Sequence, residues 1–105
     1  KNSYPDAIFV GGDYEAIRVL RILKEKGIKV PEDMSIVGYD NIPAAACSNP
    51  PLTTVNQPVF KLGSEAAKML LKMISNKKYK PKNILLQEND LIIRESVINR
   101  NNYKI

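Results

Sequence analysis

Apolar positions follow two rhythms along this chain. Residues 7–10 (AIFV), 34–39 (MSIVGY) and 52–55 (LTTV) are short, nearly continuous apolar runs bounded by Gly, Pro, Asp or Asn. Runs of this kind, rather than strict alternation, are what parallel strands buried on both faces require. Between the first two runs, Ala16, Val19, Leu20 and Leu23 recur at helical spacing, while Glu15, Arg18, Arg21, Lys24 and Lys26 take the polar positions. Asp13 stands where a helix N-cap is expected, and Gly27 where a helix stops. Strand, helix and strand follow within the length of a βαβ unit.

Further on, Pro43 opens a short helical turn over residues 42–47, and Pro50 and Pro51 end it, because proline lacks a donor and constrains the residue before it. After the LTTV strand, Pro58 is placed as the first residue of a helix running from Val59 to Ser75. Leu62, Ala66, Met69, Leu70, Met73 and Ile74 form its apolar stripe. Residues 83–87 (NILLQ) and 91–97 (LIIRESV) predict two more strands joined tightly at Glu88–Asp90, followed by a surface tail. A seam falls at Gln57–Pro58, where the strand-helix-strand wrap gives way to one helix and a strand pair. The fold class is α/β with a parallel sheet.

Composition narrows the chemistry. The chain has 105 residues, room for one modest domain. No apolar run approaches the ~20 residues that span a bilayer, so no membrane partner is expected. The first residues, KNSYPD, lack the apolar core of a signal peptide, and the chain opens on Lys1 rather than Met, so it reads as a piece of a longer protein or one trimmed after synthesis. There is no His and one Cys. That excludes a zinc site of the usual kind, an internal disulfide and any triad built on His, and it fits a reducing compartment. No metal and no cofactor are expected. The net charge of +5 includes Lys77, Lys78, Lys80 and Lys82 around Tyr79 and Pro81. They read either as a solvated loop or as a phosphate-contacting patch.

Three predicted strand ends, Gly11–Asp13, Asp40–Asn41 and Asn56–Gln57, should share one edge of the sheet, because right-handed crossovers place them there. Their carboxylates and amides suit neighbouring hydroxyls of a polar ligand. Asp13 either caps its helix or faces this mouth, and Asp40 either caps a turn or faces it. Tyr14 either stacks on a ligand at the mouth or packs on the surface. Gly11-Gly12 is too sparse for a nucleotide loop, with no third glycine at the dinucleotide spacing and no Gly-Lys-Ser/Thr, and Asp13 would repel a phosphate. Met69 and Met73 read as core filler, and Cys47 as a small buried or interface residue.

The joined motifs VPEDMSIVGYDN and PPLTTVNQP, with PDAIFVGGDYEAIRVLRILKEKG before them and LIIRES after, resemble the C-terminal part of the effector-binding core of LacI/GalR transcription regulators. The resemblance runs from Pro5 to about Val97. It implies a two-lobed, periplasmic-binding-protein-like core, of which residues 1–57 are a βαβ portion of the C-terminal lobe. Residues 58–89 would give a helix and strand of the other lobe, 90–98 a return strand and 99–105 a tail. It also implies that Asp40 bonds the effector, with Gly12, Asp13, Tyr14 and Asn41 around it. The position of Gly12 is often Asn in the family, and glycine supplies no amide. Ile17, Ala44, Ala45 and Cys47 match surfaces with which family members pair.

The function implied is the effector-binding, dimer-forming portion of a cytoplasmic regulator. Its effector would be a sugar or purine-like molecule, and it would reach operator DNA only through an N-terminal headpiece. The alternative is a periplasmic-type sugar-binding protein of a transporter, which shares the fold. An enzyme is not expected, since no nucleophile with a base is apparent, although Asp13 and Asp40 could in principle act as an acid–base pair. The 59–75 helix, cut from its sheet, would leave apolar surface in water and drive pairing with a second copy.

Overall fold

The computed structural model describes residues 3–87 and 89–101. The elements run β1 (Ala7–Phe9), α1 (Asp13–Glu25), β2 (Ser35–Asp40), α2 (Pro43–Cys47), β3 (Thr53–Asn56), α3 (Val59–Ser75) and β4 (Asp90–Ile92). They form two compact units, one of residues 1–56 with 90–105 and one of residues 57–89.

The first unit is an α/β layer. Its strands lie in the order β1-β2-β3-β4. The first three are parallel, with Ile8 opposite Ile36 and Val37 opposite Thr53. β4 joins antiparallel, Asn56 facing Asp90. Parallel pairing of β1, β2 and β3 brings their carboxyl ends to one edge, as the crossover argument requires. The core lies on the helical side, where Ala16, Leu20 and Leu23 of α1 meet Met34, Ile36, Ala45 and Leu52. Side chains alternate across a strand, so Phe9, Val37, Tyr39, Val55 and Leu91 share the opposite face. Phe9 and Leu91 are exposed there.

After β4 the chain stays woven into this layer. The Ser96 hydroxyl donates to Ile36 O at 2.6 Å and accepts from Thr53 N at 2.8 Å, while Ile36 N donates to Ser96 O at 2.8 Å. Arg100 donates to the carbonyls of Pro31 and Glu32, so the expected surface tail is pinned at that residue. Residues 102–105 of that tail lie outside the described residues, as does Glu88 of the expected tight connection.

In the second unit α3 has the bounds its periodicity predicted, with Pro58 as its N-cap rather than its first residue. Residues 83–87 are not a strand. Ile84 and Leu86 instead border a hollow of about 200 Å³ with Leu62, Ala66 and Met69 of α3. An apolar run becomes a strand only by pairing its backbone groups with another strand, and among the described residues this one joins no ladder. At the far end of α3, Lys72 Nζ lies 5.8 Å from the centre of the Tyr79 ring.

Candidate functional site

The carboxyl edge of β2 and β3 gathers the polar side chains of the first unit. Asp13 lies beneath it. The residue is the first of α1, and the N-cap position is held by Gly12. Asp13 is fully buried. One oxygen accepts from Thr54 Oγ1 at 2.6 Å and the other from Ile42 N at 3.0 Å. The fold makes room for it through Gly38 of β2, where an added Cβ would collide with the Asp13 carboxylate and come within 2.9 Å of Leu52 Cδ2. The helix-cap reading of Asp13 is therefore corrected. Its carboxylate ties α1 to β3 and to the start of α2, and it does not reach the mouth.

Above it, the chain turns sharply as it leaves β2. Asp40 and Asn41 both have positive φ, at 122° and 57°. Asn tolerates the left-handed region through local hydrogen bonding. Asp40 at 122° is in a region that costs a non-glycine residue roughly 1–3 kcal/mol, and such strain concentrates at binding sites. The turn leaves Asp40 half-buried at the strand end.

Asn41 is held on both sides of its amide. Its Oδ1 accepts from Arg94 Nη2 at 2.8 Å, and its Nδ2 donates to Asn56 Oδ1 at 2.9 Å. Arg94 also donates through Nη1 to Leu52 O at 2.8 Å, and its backbone N–H reaches Thr53 Oγ1. Arg94 and Thr54 were not singled out from the sequence. A signal for Arg94 existed: a charge directly following the apolar run LII, where the strand meets the sheet, needs a partner when it is drawn out of water.

Gly12 and Tyr14 flank the same edge. A Cβ placed on Gly12 would lie 3.9 Å from Asp40 Oδ2, so Gly12 and Asp40 are neighbours across the β1 and β2 ends. Tyr14 is 69 % exposed. Asn56 closes β3 beside Asp40, its register partner. Gln57, the last residue of the expected mouth, falls in the second unit.

Of the residues expected to pair two copies, Cys47 and Ala44 are exposed and Ile17 is half-buried. Ala45 differs: it is fully buried in the core of its own unit, because the short α2 turns that side inward to meet Leu52. Among the described residues no cluster of His, Cys, Asp or Glu could hold a metal ion, and no helix is long and apolar enough to cross a membrane.

A parallel sheet with polar groups gathered at its carboxyl edge defines a ligand-binding α/β lobe. The sequence of residues 1–97 matches the periplasmic binding protein-like domain, and the chain belongs to that family. Its relatives are regulators of the LacI/GalR type. The HTH-type transcriptional repressor PurR of Pasteurella multocida (strain Pm70) is 39% identical over 100 residues, 95% of this chain and 30% of PurR. Among solved structures, the transcriptional regulator CelR in complex with cellobiose superposes with a TM-score of 0.82 at 40% identity, over 87% of this chain and 28% of that one. The lac repressor dimer bound to operator and the anti-inducer ONPF gives 0.79 at 32% identity, over 90% of this chain and 32% of that one. The chain thus spans about a third of the length of the proteins it matches.

Proposed function

We propose that this chain is the effector-binding and pairing portion of a LacI-type transcriptional regulator, and that Asp40 is its principal ligand-bonding group. The observation that carries the reading is the strained, half-buried Asp40 at the carboxyl edge of a parallel sheet, neighboured by Gly12 and Asn56. The carboxylate accepts from ligand hydroxyl or N–H groups, the effector being a sugar or a purine-like molecule. Arg94 and Asn56 hold Asn41 in place and so fix the turn that carries Asp40. Asp13 acts beneath as a structural tie. Tyr14 offers an exposed ring at the rim. Ile17, Ala44 and Cys47 supply a pairing surface with a second copy. Operator contact belongs to a headpiece outside these residues. The regulator works in the cytoplasm and catalyses no reaction.

The mechanism is a shift of population. The ligand prefers one arrangement of the core and so biases the geometry with which the dimer meets its operator. A coupling of about 1–3 kcal/mol suffices. The test uses the complete gene product, operator-binding measurements and a panel of sugars and purine bases. Asp40→Asn is expected to remove the effector response and leave operator affinity within twofold. An effector that still shifts operator affinity normally in that variant would refute the assignment.

A further inference from the structure

Positive charge is not spread evenly over this chain. Residues 66–87 hold six lysines and no Asp or Glu, while the ten other basic residues face eleven acidic ones. The whole of the net charge of +5 therefore comes from this stretch. Lys68 pairs with Glu65 at 3.4 Å, and Lys72 lies in the last turn of α3, where a cation answers the negative end of the helix dipole. That effect fades within the last turn, so it does not account for Lys77, Lys78, Lys80 and Lys82 beyond it. These four are exposed, and among the described residues no carboxylate pairs with any of them. A surface suited to solubility alone intersperses both signs. The loop also has a definite shape. Tyr79 N donates to Asn76 O at 3.0 Å and Lys78 N to Asn76 Oδ1 at 3.0 Å, which makes Lys77 and Lys78 the corner of a turn. The half-buried Tyr79 ring lies under Lys72 Nζ, so the turn folds back on the end of α3 and leaves the corner lysines exposed.

We infer that Lys77, Lys78, Lys80 and Lys82 form a contact surface for the phosphate backbone of duplex DNA, apart from the bases that the headpiece reads. The inference rests on the regulator reading above and goes beyond it, because it gives the effector-binding core a DNA contact of its own. The chemistry of the patch selects the partner. Lysine meets a phosphate as a point charge, and the bidentate fork with which arginine reads a base edge is missing, since residues 66–87 contain no arginine. Backbone contacts of this kind position a protein on DNA and carry no sequence information. Counterions released from the phosphates drive them, so their strength falls steeply with salt. An acidic protein fits less well. Protein interfaces centre on aromatic and arginine anchors, and the one aromatic ring of the loop is already engaged by Lys72. An anionic membrane would ask for apolar anchors beside the lysines, and residues 76–83 hold none but that ring.

The test measures binding of the complete gene product to two duplexes over a range of KCl concentrations, one carrying an operator that the protein selects from random DNA and one of scrambled sequence. Log affinity falls against log salt with a steepness of about 0.9 for each phosphate contact. Lys77→Gln, Lys78→Gln, Lys80→Gln and Lys82→Gln together are expected to reduce the steepness by at least about 2 on both duplexes. Affinity for both should fall at least tenfold at low salt, with the ratio between them within twofold of the wild type and the effector response kept. Lys→Arg changes at the same four positions keep the charge and should restore the steepness. Arg18→Gln, Lys24→Gln, Lys26→Gln and Lys29→Gln together remove the same charge from the first unit and should leave it unchanged. An unchanged steepness in the first variant overturns the inference and leaves the regulator reading standing. Equal flattening by both glutamine variants does the same, since it marks net charge rather than contact. A loss confined to the operator duplex likewise overturns it, as does binding to phosphatidylglycerol vesicles that needs the four lysines when the DNA steepness does not. If the protein selects no operator, the regulator reading fails and the inference with it.

Discussion

The carboxylate of Asp13 accepts a 2.6 Å hydrogen bond from the hydroxyl of Thr54, a residue 41 positions later in the chain. The contact joins the start of α1 to the middle of β3, across β2, and it exists because Gly38 leaves no side chain in the way. With Ile42 N on its other oxygen, Asp13 closes the polar edge of the sheet from below.

Asp13→Ala strips the partner from two donors in one step, the Thr54 hydroxyl and the Ile42 N–H. Each buried donor left unpaired costs about 1–3 kcal/mol. Chemical denaturation should show a loss of stability in that range or above, and Thr54→Val a smaller one. A midpoint for Asp13→Ala indistinguishable from the wild type would show that the tie does not hold the fold.

Arg94→Met keeps the aliphatic packing and removes the guanidinium from Leu52 O and Asn41 Oδ1. A loss of about 1–3 kcal/mol is expected from the two carbonyl acceptors left behind. In a double-mutant cycle with Asn41→Ala, contacting residues should show a coupling of at least about 0.5 kcal/mol. Strict additivity would mean that Arg94 does not hold Asn41.

The backbone of Asp40 gives a separate handle on strain. At a φ of 122°, glycine pays no Cβ penalty and alanine does. Asp40→Gly should therefore be more stable than Asp40→Ala by about 1 kcal/mol, while both lose the carboxylate that we propose bonds the ligand. Equal stabilities by thermal or chemical unfolding would place the turn in a relaxed conformation and remove one support for a binding role.

None of the residues of α3 is buried, and Phe60, Leu71 and Ile74 are 90%, 65% and 70% exposed. Apolar area left in water costs roughly 25 cal/mol per Å². Sedimentation of the isolated 105-residue chain should show association that grows with concentration, and the pair Leu71→Glu and Ile74→Glu should reduce it. A stable monomer across the whole concentration range would contradict the expectation.

Periodicity and punctuation in the sequence defined most of the elements, but not residues 83–87, which form no strand, nor the return strand expected over 90–98, which is only Asp90–Ile92. The bounds of α3, the end of α1 before Gly27 and the parallel run of β1, β2 and β3 follow from apolar spacing and from Gly and Pro, which act through local backbone geometry. The gathering of polar residues at the carboxyl edge follows from that order too. What each polar residue does there depended on neighbours far away in the chain. Asp13 had the right type and place for a helix cap, and only the approach of Thr54 and the gap at Gly38 turned it into a buried tie. Arg94 and Asn41 found each other across 53 residues. Residues 83–87 had the composition of a strand and pair with none, and Ala45 turned inward because α2 is packed by Leu52. Side-chain roles are set by which groups must find partners when water is removed, and that pairing is decided by the tertiary structure rather than by any local stretch of sequence.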